Sequence, residues 1–167
     1  EYGIAYLPED RLSQGLFQHQ SIKDNIVITV LRRLLNKLRL IDPERKDSEG
    51  NRWVKELTIK TPSADNAAGS LSGGNQQRVV IAKWLATEPK LFILDGPTIG
   101  IDIASKQNIH DTIRELAKGG MAIIMISDEI DEVLKNCNRV LVMRHRRIVG
   151  EITDTVNTPE EEVFDLV

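Results

Sequence analysis

The segment Leu71-Ser72-Gly73-Gly74-Asn75-Gln76-Gln77-Arg78 constrains this chain more than any other. It stands directly before an apolar helical run, Val79 to Leu85, and upstream of Leu91-Phe92-Ile93-Leu94-Asp95, an apolar run that ends in a carboxylate. Two adjacent glycines let a backbone approach an anion closely. A helix that opens there turns its unpaired N–H groups and its positive dipole end toward that anion. A buried strand delivering one Asp at its carboxyl end suits an α/β nucleotide-binding fold, in which such an Asp holds Mg²⁺. Each piece alone has a plainer reading, the first as an N-cap and turn, the second as a turn after a buried strand. Their order and spacing favour phosphate chemistry.

Composition narrows the class. With 167 residues, 41% apolar and 28% charged, the chain has material for one domain with an ordinary core. Its formal net charge is -3, which argues against a general nucleic-acid binder and its basic face. The single cysteine, Cys137, allows no intrachain disulfide. No apolar run approaches the roughly 18 residues that span a bilayer. The chain opens on Glu1-Tyr2-Gly3, inside what reads as a strand, which suggests a piece of something longer.

In chain order, Ile4 to Leu7 reads as a short strand stopped by Pro8. Glu9-Asp10-Arg11 then lies at that strand's carboxyl end, as solvated loop charge or as carboxylates serving a hard cation. Ser21 is an N-cap with Asp24 at its third position, and helix is expected through Ile26, Ile28 and Leu31. Val30 to Leu40 interleaves Arg32, Arg33, Lys37 and Arg39 with leucines, a basic amphipathic helix that either faces solvent or meets a membrane or partner. Residues 42–50 read as a polar loop or a helix start, and Trp53, Val54, Leu57 and Ile59 as a helix burying one face. After a linker, Thr61 to Gly69, comes the helix of residues 73–85, expected to end at Pro89. Leu91 to Leu94 and Ala122 to Ile126 read as strands buried on both faces. Helices are expected over Asp102 to Ala117, with Gly119-Gly120 as the stop, and over Asp128 to Leu134. Val140 to Met143 and Ile148 to Ile152 flank Arg144-His145-Arg146-Arg147 as a hairpin, its basic cluster reading as a solvated turn. Thr158-Pro159-Glu160-Glu161 begins a terminal helix with Pro at its first position.

Leu71 to Gln77 resembles the signature motif of ABC-type ATPases. Leu91 to Asp95 with Gly96-Pro97-Thr98 resembles their Walker B strand, Gly100-Ile101-Asp102 their D-loop, and Met121 to Ile126 the strand before their switch residue. Tyr6-Leu7-Pro8-Glu9-Asp10-Arg11, Gly15-Leu16 and Ser21-Ile22-Lys23-Asp24-Asn25 are similar to the second ATPase half of monosaccharide importers of the ribose and galactose type. The resemblance runs over nearly the whole chain. It implies an α/β fold: part of a P-loop NTPase of RecA-like kind, a mostly parallel sheet flanked by helices, with an all-helical signature subdomain at about 21–87 and the core in 1–20 and 88–167. It further implies ATP and Mg²⁺, a partner nucleotide-binding domain in the first half of the same protein, a transmembrane sugar permease, indirectly an extracytoplasmic binding protein, no nucleic acid, and a place at the cytoplasmic face of a bacterial membrane.

By the same resemblance, Leu71, Ser72, Gly73, Gly74, Asn75 and Gln76 cap the ATP held by the opposite half, and Asp102 couples the two sites. Asp95 and Glu9 are the metal-side carboxylates, Glu9 standing where the family has the Q-loop glutamine. Asp95, Glu9 and Asp128 are the catalytic candidates. Asp128 falls where the superfamily has a switch His, which importers of this kind often lack. Gly96 replaces the usual Glu that polarises the attacking water, and loss of a general base costs about 10²–10⁴ in rate. No G-x-x-x-x-G-K-[ST] loop occurs, and by resemblance it belongs upstream of residue 1, so these residues alone are expected to bind ATP weakly or not at all and to be inactive, hydrolysis belonging to the full-length protein. The expectation is one active site that borrows this signature helix and one degenerate site built on Asp95 and Gly96. A soluble, non-transport ABC ATPase and a catalytically degenerate interaction module are the alternatives.

Overall fold

The computed structural model describes residues 2–166, so the opening Glu1 lies outside the described residues. Its backbone contacts group into two compact units, Glu1–Ile124 and Met125–Val167.

The first unit holds β1 (Ile4–Leu7), α1 (Ile22–Val27), α2 (Pro43–Glu56), α3 (Gly73–Leu85), β2 (Leu91–Asp95) and α4 (Ile103–Lys118), and the boundary falls within β3 (Ala122–Ile126). The sheet order is β1-β2-β3. β1 and β2 run parallel in the register Ile4↔Leu91 to Leu7↔Leu94, which brings the loops after both strands to the same end. Ala5, Leu7, Phe92 and Leu94 point into the core beside Val79, Val80, Ile81 and Ala82 of α3 and Ile22 and Ile26 of α1. α3 is buried along most of its length.

Several expectations are corrected here. Helix α1 stops at Val27, and Val30 to Leu40 is no helix: Leu31–Leu34 makes a 3₁₀ turn and Leu35 bridges Ile41. Asn36 is the cause, because its Oδ1 accepts from the backbone N–H of Leu38 (2.9 Å) and Leu40 (3.1 Å) and outcompetes helical bonding. Of the two readings of residues 42–50, the helix start holds, as the beginning of α2: Asp42 Oδ1 accepts from Glu44 N–H (3.1 Å) and Arg45 N–H (3.3 Å), with Pro43 in the first turn. α3 ends at Leu85, before Pro89, and Glu88 in the left-handed region (φ 53°) makes the turn. In β2 only Phe92 and Leu94 are fully buried, and in β3 Ile124 and Ile126 are half exposed, so neither strand is covered on both faces.

Buried Asn25 ties the loop after β1 to α1. Its Oδ1 accepts from Phe17 N–H (2.8 Å), and its Nδ2 donates to the carbonyls of Phe17 (3.0 Å) and Ser21 (2.9 Å). Such a satisfied network fixes one conformation, because any partner left unpaired in the core is costly.

The second unit contains α5 (Ile130–Asn136), β4 (Val140–Arg144), β5 (Arg147–Ile152) and α6 (Glu160–Phe164) around Val133, Leu134, Val140, Val142, Ile152 and Val163. The hairpin is present, with a two-residue loop, His145-Arg146, in which both residues have positive φ. Pro159 precedes α6 as its extended N-cap rather than opening it. Cys137 is free, and burial raises its thiol above the ordinary range. No helix among the described residues is long and apolar enough to cross a membrane.

Candidate functional site

Three segments meet in the first unit at the carboxyl end of β1 and β2. The first is the loop after β1. Asp10 Oδ1 accepts from the N–H groups of Leu12 (3.0 Å) and Ser13 (3.2 Å), so Asp10 is an N-cap, and the bond from the Ser13 hydroxyl above all, with these backbone bonds, holds its carboxyl below the usual range. Capping that turn leaves exposed Glu9 on one side of it and Arg11 on the other.

The second segment is the end of β2. Tyr6 Oη donates to Asp95 Oδ2 (2.8 Å) across the parallel pair. That bond above all, with some burial and the nearby charges of Asp95 and Glu9, raises the Tyr6 hydroxyl above its ordinary pKa. Both carboxylates therefore act on one hydroxyl. Gly96 follows in the left-handed region (φ 55°), closed by the Ile99 N–H to the Gly96 carbonyl (3.1 Å). A Cβ on residue 96 would lie 2.4 Å from Ile99 Cδ1 and 3.2 Å from Glu9 Cγ. The turn is built around a residue without a side chain, and Glu9 lies against the spot where one would begin.

The third segment is the start of α3. Ser72 is the N-cap by backbone, extended at φ -62°, ψ 156°, yet its hydroxyl caps nothing. Instead Ser72 Oγ accepts from Asn75 Nδ2 (2.9 Å), while Asn75 Oδ1 accepts from Lys60 N–H (2.8 Å). Ser72 is exposed, Leu71, Gly73 and Asn75 are half-buried, and Gly74 and Gln76 are buried. Gly74 is required by close packing: a Cβ there would lie 2.6 Å from both Cβ and Oγ of Ser105. A Cβ on Gly73 would lie 3.0 Å from the Gly100 carbonyl oxygen. Asp102 caps α4, its Oδ1 accepting from Ser105 N–H (3.0 Å), and the bonds to Ser105 lower its pKa.

The structure thus brings Glu9, Asp95, Gly96, Ser72 to Gln76 and Asp102 into neighbouring segments of one unit. Asp128 lies in the other unit, exposed in the turn after β3, beside Ser127, whose hydroxyl donates to Glu132. Tyr6, Arg11 and Ser105 were missed by sequence reasoning. Tyr6 and Arg11 left a trace, both lying in the motif Tyr6 to Arg11, and alternation in β1 puts Tyr6 on the same face as Ile4 rather than in the core, whereas Ser105 left none. Two clefts of about 510 Å³ each lie elsewhere, one at residues 28–33 and the other between Val30 and α2, and neither touches these segments.

The carboxylates that a hard cation would meet at this end of the sheet are Asp95 and Glu9. The described residues contain no cluster of three or more His, Cys, Asp or Glu side chains that could enclose a metal ion. Mg²⁺ ordinarily keeps waters and takes one or two carboxylates plus substrate oxygens.

A parallel-stranded α/β unit with a carboxylate at a strand end and an exposed Ser72 before two glycines at a helix start fits the nucleotide-binding class. The pattern of the ABC transporter family matches residues 1–99, and this chain belongs to that family. It is 41% identical over 161 residues to the ribose import ATP-binding protein RbsA of Clostridium tetani, covering 96% of this chain and 32% of that protein. It is 42% identical over 164 residues to the galactose/methyl galactoside import ATP-binding protein MglA of Pasteurella multocida, covering 98% and 32%. Among solved structures, CbiO1 of Clostridium perfringens, part of an ABC transporter complex, superposes with a TM-score of 0.74 at 26% identity, over 98% of this chain and 60% of that one. The chain spans about a third of the length of the curated relatives it matches.

Proposed function

We propose that this chain is part of the ATP-binding subunit of an ABC importer for a simple sugar, and that it lends its signature helix to an ATP site completed by a partner nucleotide-binding domain. The observation that carries the reading is the start of α3: an exposed Ser72 hydroxyl, not spent on capping, at the positive end of a helix that is otherwise buried. It is thereby open to a phosphate offered from outside the chain, and the names of the sugar-import relatives support the rest. Ser72 Oγ, steadied by Asn75, and the amides of Gly73 and Gly74 would hold the terminal phosphate of that ATP. Asp102, fixed at the head of α4, would face the partner domain. The helical stretch 21–87 would pass the motion to a membrane permease at the cytoplasmic face.

On this domain's own side, Asp95 and Glu9 would hold Mg²⁺, which when bound neutralises phosphate charge. Tyr6 orients Asp95 through its hydroxyl. Gly96 offers no carboxylate to a water, and Glu9 lies beside the spot where such a side chain would begin. Asp128 would be the loop group at the switch position. The Gly96 turn also favours a second reading, in which the chain's own site is degenerate and only the borrowed one turns over.

The test is Ser72→Ala in the intact protein with its partner half, assayed for ATP hydrolysis. Turnover is expected to fall about 10²-fold, the cost of losing a preorganised donor, with thermal stability unchanged. Undiminished turnover would favour a non-catalytic module. Co-purification with ribosomes or DNA rather than a membrane permease would favour a soluble ATPase.

A further inference from the structure

Arg11 makes three polar contacts with residues far from it in sequence. Its Nη1 donates to the Ile99 carbonyl (2.6 Å), its Nη2 to the Gly100 carbonyl (3.1 Å) and its Nε to Gln76 Oε1 (3.5 Å). Its sequence separations from these partners are 88, 89 and 65 residues. A Cβ on Gly73 would come within 2.8 Å of Nη2, so the guanidinium lies directly against the first turn of α3. One planar fork therefore joins the loop after β1, the turn after β2 and the signature helix.

We infer that Arg11 is a positioning residue: it clamps the turn Ile99–Asp102 against the start of α3, so that Ser72 and Asp102 are presented together. Gly100, at φ 67°, has a backbone with unusual freedom, and the two carbonyls on either side of its Cα, those of Ile99 and Gly100, are the ones the fork takes. Only arginine offers paired N–H donors in a rigid plane, whereas a lysine ammonium is a point charge on a flexible stem. Arg11 is partly buried, and burial lowers its pKa, while its bonds are to neutral carbonyls rather than to a carboxylate. Its contribution is accordingly geometric. It is not drawn from the phosphate-gripping role proposed above, although its effect on turnover rests on that reading.

The test uses Arg11→Lys and Arg11→Ala in the intact protein, with two readouts. Without nucleotide, amide exchange in the 96–106 region should rise about tenfold in both variants, while that of α2 stays unchanged, because local opening is read where the clamp is lost. With the partner half, kcat for ATP should fall about tenfold with KM within about twofold, the signature of lost positioning rather than lost binding. Unaltered exchange at 96–106, exchange rising throughout α2 as well, or an Arg11→Lys protein that matches the wild type would each overturn the clamp. If the wild-type protein hydrolyses no ATP, the proposed function falls, and the exchange readout still decides the clamp.

Discussion

At the scale of single residues, Gly96 shows how a lost side chain and a backbone shape go together. Restoring a carboxylate by Gly96→Glu puts a β-carbon at φ 55° and 2.4 Å from Ile99 Cδ1. The left-handed conformation alone costs a non-glycine residue about 1–2 kcal/mol. Gly96→Glu should therefore destabilise the chain by about 1–3 kcal/mol in chemical denaturation, the contact with Ile99 adding to the backbone cost. Adding Ile99→Ala should recover only the contact portion, since shortening a half-exposed side chain does nothing for φ. A fully stable Gly96→Glu would mean that the turn is free to change hand. That Gly96 departs from the usual Glu was legible in the sequence; that the turn around it strains a β-carbon was not.

At the scale of elements, the junction of α3 and α4 has a testable fit. The Gly74 position meets both Cβ and Oγ of Ser105 at 2.6 Å, and while the hydroxyl can rotate away, the β-carbon cannot. Gly74→Ala should cost about 1–3 kcal/mol by overpacking, despite alanine's better helix propensity. The Gly74→Ala/Ser105→Gly pair should be coupled, the double variant being more stable than the sum of the singles by about 1 kcal/mol or more. Strict additivity in a double-mutant cycle would show that the helices separate at no cost. The Ser-Gly-Gly motif predicts an anion-facing helix start, and Ser72 is exposed there with a hydroxyl that caps nothing. The second glycine serves packing within the chain as well, which no spacing rule reveals, because Ser105 is a tertiary neighbour. Asn36 teaches the same lesson for Val30 to Leu40: periodicity suggested a helix, and one side chain bonding two nearby N–H groups prevailed.

At the scale of the whole molecule, α3 carries a buried cation into the centre of the first unit. Lys83 is 6% exposed, donates from Nζ to the Gly15 carbonyl and stands 5.4 Å from the Trp84 ring centroid. Burial lowers its pKa below the ordinary lysine value. Between that lowered value and about 10.4, the unfolded chain holds more protons at this site than the folded one, so stability rises with pH across the window. Below the window both states are protonated and the full burial penalty applies. The difference in unfolding free energy between wild type and Lys83→Met should thus increase as pH climbs through the window, and urea titrations at a series of alkaline pH values would measure it. A flat difference would place the ammonium in solvent.

From the sequence alone came the class and the chemistry-bearing segments: the Ser-Gly-Gly helix start, the Asp95 strand end, the Glu9 loop and the 144–147 hairpin all depend on local composition and order. Short-range rules suffice for these, because caps, turns and alternation are set by residues a few positions apart. What waited for the tertiary structure were the Tyr6–Asp95 bond, the Arg11 fork and the Gly74–Ser105 fit, together with the partial exposure of β2 and β3. Those depend on pairs separated by about 30 to 90 residues, whose meeting is decided by how the whole chain buries its apolar surface.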